Sequence, residues 1–300
     1  MREIFKESDS IAAKFSKASH FNGRSGKMYN VRMQTTYNHL EAHAKNARWG
    51  KKVDPSNITE KQIRGFIQSR MDAGVSARTV QNEMSHLRRS LEGVGRIEFA
   101  QVTLKNSEIG VPSASRIGSG RIVDTEVLKE ARENAKTDTK ALLDLQRCVG
   151  LRIREAVCSA ASLKKWEHSL NAGNHVLTIT DGTKGGRLRD VYIRPDNLDN
   201  VKNAISACLE VVKVQGKLVD SPNLKAAMET HTDRLAKLGI KGEDSSHSLR
   251  RAFAMDQFKY YLGNGCAEKQ ALSLVSRDLG HGDGRGRWVY NNYLKTSMEG

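Results

Sequence analysis

The chain has 300 residues, 38% of them hydrophobic, which is enough for two domains that each bury a core. Lysine and arginine outnumber aspartate and glutamate by 49 to 34, and the net charge of +15 favours a polyanionic partner, nucleic acid or an acidic membrane surface. An apolar run of about 18 residues, as a membrane span needs, is missing, as is the continuous apolar core of a secretory signal, so a soluble, intracellular protein is expected.

Residues 1–28 are polar and basic and read as a mobile arm or a marginal helix. Residues 29–105 hold three amphipathic helices, the first with Tyr37, Leu40 and Ala44 on one face. The second opens on a Thr59/Gln62 capping box, runs Ile63, Phe66, Ile67 and Met71 along its apolar stripe, and stops at Gly74. The third starts at Ser76, places Val80, Met84, Leu87 and Leu91 on one face, and ends near Gly93. Its polar side carries Arg78, Arg88 and Arg89, which suit DNA phosphates as well as they suit an ordinary solvated face. Residues 106–122, NSEIGVPSASRIGSGRI, have the Gly/Ser composition of a linker.

A second domain over 123–300 opens with helices near 124–136 and 138–148, followed by GLRIREAV, where Ile153, Ala156, Val157 and Ala160 keep helical spacing. The period then changes: 175–180 and 187–193 are rich in β-branched residues around the turn DGTKGG, which predicts a hairpin. Helices resume near 198–213, 222–238, 247–262 and 266–279, the last closed by Gly280. The fold class expected is therefore mainly α with a small β-sheet (α+β). The four cysteines, Cys148, Cys158, Cys208 and Cys266, form no C-x-x-C pair, which argues for packed thiols over a zinc site or disulfide framework.

Four basic segments suit a phosphodiester: Gly150-Leu-Arg-Ile-Arg-Glu155, Thr183-Lys-Gly-Gly-Arg187, His247-Ser-Leu-Arg250 and Leu279-Gly-His281, with a tyrosine-bearing helix after the last. Cleavage by an internal nucleophile needs cations for the pentacoordinate transition state, a proton donor for the leaving oxygen, and an in-line attacking oxygen. His247 and Arg250 lie three apart near a helix N-terminus, where one phosphate can meet both. Taken singly, each segment also has a plain structural reading. Arg152 and Glu155 make a surface ion pair, Lys184 is a solvent-exposed turn residue, and H-x-x-R is a solvated face.

In this order the segments resemble the tyrosine recombinase (phage integrase) family across the catalytic domain. GLRIREA is similar to its first arginine box, TKGGR to its hairpin lysine segment, HSLRRAFA to its H-x-L-R-H-x-F-A box, and LGH to its second histidine box. The N-terminal half resembles the family's helical core-binding (SAM-like) DNA-binding domain. The resemblance implies a C-shaped clamp of two domains on DNA and cleavage through a covalent 3′-phosphotyrosine, with no metal or nucleotide cofactor. It implies that Arg152 and Arg250 clamp the scissile phosphate, His247 and His281 assist by hydrogen bonding and proton handling, and Lys184 protonates the leaving 5′ oxygen. Arg154, Arg187, Arg189 and Arg251 match no catalytic place and are assigned to the DNA backbone or the surface.

Two tyrosines compete for the attack and share a helix face at three-residue spacing. The family's spacing of nine residues from the histidine selects Tyr290, whereas the long stretch Gly282-Asp-Gly-Arg-Gly286 and the context Asn-Tyr-Leu-Lys point to Tyr293. The spare tyrosine is expected in the core. Only seven residues follow Tyr293, leaving little to exchange between protomers. The partners implied are double-stranded DNA, a homotetramer on two sites, and accessory DNA-bending proteins, with no membrane. The setting implied is a bacterial or phage-type cytoplasm, associated with the nucleoid. Site-specific recombination for integration or excision of a mobile element is the function expected; type IB topoisomerase-like relaxation and non-catalytic DNA binding are the alternatives.

Overall fold

The computed structural model describes residues 10–20, 27–50, 52–114 and 121–295. Residues 1–9 and 21–26 of the expected arm, 115–120 of the expected linker, and the last five residues lie outside that description. The chain divides into two compact units, Met1–Ser115 and Arg116–Gly300.

The first unit is built from α1 (Ile11–Ser19), α2 (Lys27–Asn46), α3 (Glu60–Asp72) and α4 (Ala77–Gly93), followed by a π-helical turn at Phe99–Thr103. Side-chain caps start three of the helices, two of them where the sequence places them. Thr59 and Gln62 form the reciprocal capping box and Ser76 accepts from the Thr79 amide, while Ser10, which the sequence did not single out, accepts from the Ala13 amide. The core joins Phe15, Tyr37, Leu40, Ile63, Phe66, Val80, Met84 and Leu87.

Two expectations change here. Of the two readings of the N-terminal stretch, residues 11–19 take the helical one and are no loose arm: Ile11, Ala12 and Phe15 sit at helical spacing and are buried, and α1 packs on α2 and α4. The Ser90 hydroxyl donates to the Phe15 carbonyl at 2.9 Å, tying the helix down further. The first part of the expected linker also belongs to this unit, because Ile109 and Val111 are buried in its core.

The second unit runs α5 (Thr125–Asn134), α6 (Thr137–Val149), α7 (Ile153–Cys158), α8 (Leu163–Asn171), β1 (Val176–Ile179) and β2 (Arg189–Tyr192). It continues with α9 (Leu198–Gln215), α10 (Leu224–Lys237), α11 (Ser246–Gly263), α12 (Glu268–Asp278) and α13 (Gly286–Val289), which runs on into a π-helical turn at Tyr290–Leu294. The strands pair antiparallel, Val176 opposite Tyr192 and Ile179 opposite Arg189. Helix α6 packs on α9 and α11, and α11 packs on α12, so α6 and α11 lie at the centre of the unit. This is the mainly helical chain with a small sheet that the sequence implies.

Helix α8 was not foreseen. Leu163, Trp166 and Leu170 are its buried face, and the Trp166 indole donates to the Thr178 carbonyl at 3.0 Å, which fastens α8 to β1. Cys148 and Cys208 are buried free thiols, and burial pushes both upward, Cys208 to about 12. No described helix is long and apolar enough to cross a membrane.

Candidate active site

Helix α6 ends at Gly150, whose φ of 65° no larger residue adopts easily, and an added Cβ would strike the Phe253 ring. The turn delivers Arg152 to the start of α7. There the Glu155 carboxylate accepts from the Arg152 backbone N–H at 2.9 Å and from its guanidinium.

Glu155 is fully buried, so this pair is not the exposed ion pair that the spacing allowed. Arg189 donates at 2.8 Å to Oε2, the oxygen that also takes the Arg152 amide, and Arg250 stands 3.7 Å from it. Burial alone would raise the Glu155 pKa, but the charges of Arg189, Arg250 and Arg152 prevail and hold it at about 2. The carboxylate is therefore ionised throughout the neutral range.

Arg189 was assigned to the surface or the DNA backbone, and the structure corrects this. It is buried and donates to the Asp278 carbonyl, to the Gly150 carbonyl at 3.2 Å and to Glu155. The cue was available in the hairpin: Arg189 faces the same side of the sheet as Val191, and only a paired charge can take such a position. Gly280 is matched to it, since a Cβ there would lie 2.6 Å from the Arg189 Cδ.

Arg250 is fully buried as well, its guanidinium donating to the carbonyls of Gly150 and Leu279. Burial, with repulsion from Arg189 and Arg152, pushes it down to about 10, which leaves it cationic at neutral pH. It lies behind the wall of the cavity rather than on it.

That cavity has a volume of about 620 Å³ and gathers Arg152, Lys184, His247, His281 and Tyr293 from five separate stretches of the second unit. Lys184 is exposed at its edge, in a short helical turn at Lys184–Gly186 between the strands. His281 follows the left-handed Gly280, its amide donating to the Ser276 carbonyl at 2.9 Å. His281 Nε2 is 3.3 Å from the Tyr293 hydroxyl, and the His247 ring is 5.4 Å from the Tyr293 ring.

Both imidazoles are held neutral. Desolvation by the cavity walls pushes His247 down to about 4 although the residue as a whole is exposed, and Arg251, Arg250 and Arg152 add repulsion. Burial likewise lowers His281 to about 3, helped by Arg250 and Arg152.

The tyrosines do not share a face. Tyr293 is buried at the cavity wall, while Tyr290 is half-buried and lines a separate hollow with Leu272 and Gly286. The physical reason is the π-helical turn: with i→i+5 bonding each residue rotates less about the axis than in an α-helix, so residues three apart do not come back round to one face.

Of the remaining cations, Arg154 is exposed, and Arg187 is exposed and lines the cavity. Arg251 is buried, not on the surface, and also lines the cavity. Arg285 and Trp288 line it too, although the sequence singled out neither; Trp288 packs against His281 with ring centroids 4.5 Å apart and the planes tilted by 57°. In the first unit Arg78 is exposed on the first turn of α4. Arg88, offered as a phosphate contact, instead donates to the Leu104 carbonyl and the Asn106 side chain, because this guanidinium closes the turn after α4. Arg89 donates to the Ser19 carbonyl at 2.8 Å and sits over the Tyr29 ring.

Two family models match the chain: "Phage integrase, N-terminal" over residues 12–100 and "Integrase" over residues 110–256. No curated protein matches it. Among solved structures it resembles a lambda integrase dimer bound to a COC′ core site, at 16% identity and a TM-score of 0.60, covering 93% of this chain and 75% of that one. The Tn1549 transposon integrase in complex with transposon right end DNA is similar at 11% identity and a TM-score of 0.60, covering 97% and 98%. A lambda integrase tetramer bound to a Holliday junction is similar at 15% identity and a TM-score of 0.57, covering 91% and 76%.

Proposed function

The chain belongs to the phage integrase family of tyrosine recombinases, site-specific enzymes that cut and rejoin DNA through a covalent 3′-phosphotyrosine, and on that premise we propose how its cavity does so. The Tyr293 oxygen attacks the scissile phosphorus as its proton passes to the neutral His281 imidazole 3.3 Å away. A bond forms between phosphorus and the phenolic oxygen, the bond from phosphorus to the 5′ oxygen breaks, and that oxygen takes a proton from Lys184. Arg152 holds the non-bridging oxygens, and the charge of Arg250 acts on them from behind the wall. His247 donates a hydrogen bond to the same phosphate. Rejoining is the reverse, with a 5′ hydroxyl from the partner strand as nucleophile.

The observation that carries this reading is the tyrosine hydroxyl within hydrogen-bond reach of a neutral histidine, on a cavity that also presents Arg152 and Lys184. The partner is double-stranded DNA, in keeping with the net charge of +15. Arg78, exposed on α4, and Arg187, at the cavity edge, contact its backbone. The likeness to an integrase tetramer on a Holliday junction supports a homotetramer on two sites. Integration or excision of a mobile element in a bacterial or phage setting, assisted by DNA-bending proteins, is the biological role proposed.

A suicide duplex nicked just past the scissile phosphate tests the reading, because the short 5′ fragment diffuses away and traps the adduct. A covalent complex resistant to denaturant, with a free 5′ hydroxyl, is the expected product. A 3′ hydroxyl end with no protein attached would refute it.

A further inference from the structure

We propose that Arg251 is a further catalytic residue, a guanidinium that holds the negative charge developing on the Tyr293 oxygen as it attacks. The proposal rests on the recombinase reading of the cavity and adds to it a cation for the nucleophile, distinct from those that hold the phosphate.

The counter-ions around the cavity are unevenly shared. Arg152, Arg189 and Arg250 all converge on the single buried carboxylate of Glu155. Arg251 is 8% exposed and makes no hydrogen bond or ion pair with any described residue, and its Nε is buried without a partner. A buried guanidinium without an anion is costly to keep, so its place calls for an anion that forms or arrives there.

Position says which anion. Arg251 lies one turn beyond His247 on α11, hence on the same helix face, and the His247 ring lies against the Tyr293 ring. Both Arg251 and Tyr293 line the cavity. Burial pushes the Arg251 guanidinium down, and the opposing pull comes from Tyr293, which acts only when its oxygen is charged. The sequence marks the same residue: HSLRRAFA carries Arg251 where the H-x-L-R-H-x-F-A pattern has histidine. An arginine there is a permanent cation, whereas a histidine among these arginines would be neutral.

The proton account is unchanged. The Tyr293 proton goes to His281, the 5′ oxygen takes its proton from Lys184, and Arg251 stays positive throughout. The other titratable or charged groups around the tyrosine are His247 on α11, His281 after α12, Arg152 and Glu155 at the start of α7, Lys184, Arg187 and Arg189 on the hairpin and Arg285 before α13, with Arg250 behind the wall.

Single-turnover adduct formation by the full chain on the nicked suicide duplex tests the role, followed from pH 7 to 9.5. Arg251→Gln is expected to be about 10²–10³-fold slower at pH 7, with DNA affinity within a few fold, and the deficit is expected to narrow with rising pH, because hydroxide favours a charged attacking oxygen in both proteins. Arg251→Lys, which restores a cation, is expected between the two, and it carries the test if the Gln variant melts early. A wild-type rate in both variants would overturn the proposal. So would a deficit of equal size at every pH, which would place Arg251 on the phosphate or in the scaffold. If the wild-type chain forms no adduct, the recombinase reading fails and takes this one with it. If wild type and R251Q are equally competent, only the role of Arg251 is lost.

Discussion

Arg189 and Glu155 meet at 2.8 Å with both side chains buried, and this contact braces the cavity from beneath. Arg189 also holds the carbonyls of Asp278 and Gly150, so one guanidinium ties the end of α6, the start of α7 and the end of α12 together. Those three points carry Arg152 and His281.

The first prediction follows from the charge on Glu155. Its folded pKa of about 2 lies below the ordinary 4.5, so between those values the unfolded chain binds more protons. The stabilisation is complete above about pH 4.5 and is lost as pH falls toward 2, and it is worth about 3 kcal/mol. Glu155→Gln is expected to lower stability by about that amount at pH 7 and to flatten the acid limb. Denaturant midpoints measured from pH 2 to 7 check this; an unchanged acid limb would count against it.

Histidines supply the second prediction. His231 is buried against Gln146, its Nε2 at 2.6 Å from the amide oxygen, and burial pushes it down to about 4, as it does His247; His281 falls to about 3. Each folded value lies below the ordinary 6.5, so the unfolded state takes up protons first. Stability should therefore decline as pH drops below about 6.5 and go on declining to between 4 and 3. His231→Gln is expected to shrink the slope between pH 6.5 and 4 with cleavage at pH 7 preserved. An identical slope in the variant would show that His231 does not contribute.

Much of this was legible beforehand, for a physical reason: caps and apolar periodicity are local. The Thr59 capping box, the stripe Ile63, Phe66, Ile67 and the stop at Gly74 need only neighbours in sequence. Long-range consequences were not legible. Phe15 looked like part of a polar arm because its partners, Tyr37 and Ser90, lie far along the chain. Arg251 looked like a surface cation because its burial comes from segments distant in sequence, and the partners of Arg189, Glu155 and the end of α12, are equally distant although the strand alternation offered a cue. The divergence of Tyr290 and Tyr293 depends on a π-helical turn, which leaves no pattern in hydrophobic spacing.

Arg152 gives the third prediction. Its guanidinium lines the cavity while Glu155 fixes its orientation, so the proposed phosphate clamp is aligned before DNA binds. Arg152→Ala is expected to slow adduct formation about 10²–10³-fold, with DNA binding reduced only modestly because phosphate contacts are spread widely. Because arginines supply the charge in this mechanism, the wild-type rate is expected to persist in EDTA. Rates with and without chelator, beside a filter-binding curve, decide both points.

Lys184, exposed in a turn with two glycines, is the proposed donor to the leaving oxygen, and this gives the fourth prediction. Lys184→Ala is expected to lose about 10²–10⁴-fold in cleavage. A substrate with sulfur in place of the bridging 5′ oxygen should restore most of the rate, since a thiolate leaves without a proton. Equal slowing on both substrates would assign the lysine to binding instead.

The last prediction separates the two tyrosines. Counting nine residues from His281 selects Tyr290, but the segment from Gly282 to Gly286 turns through left-handed glycines at 282 and 284 before α13 begins, and the π-helical turn then swings the next residues round. Tyr293, not Tyr290, comes within 3.3 Å of His281 Nε2, and only Tyr293 lines the cavity with Arg152 and Lys184. Tyr290 packs instead beside Leu272 in the neighbouring hollow. Each Phe variant removes one hydroxyl with little change of shape, so Tyr293→Phe is expected to bind DNA normally and form no covalent adduct. Tyr290→Phe is expected to keep most of the wild-type rate. The attacked residue can also be read directly, by digesting the wild-type adduct and locating the nucleotide-bearing peptide; a label on Tyr290 would show that the helix must turn before it attacks.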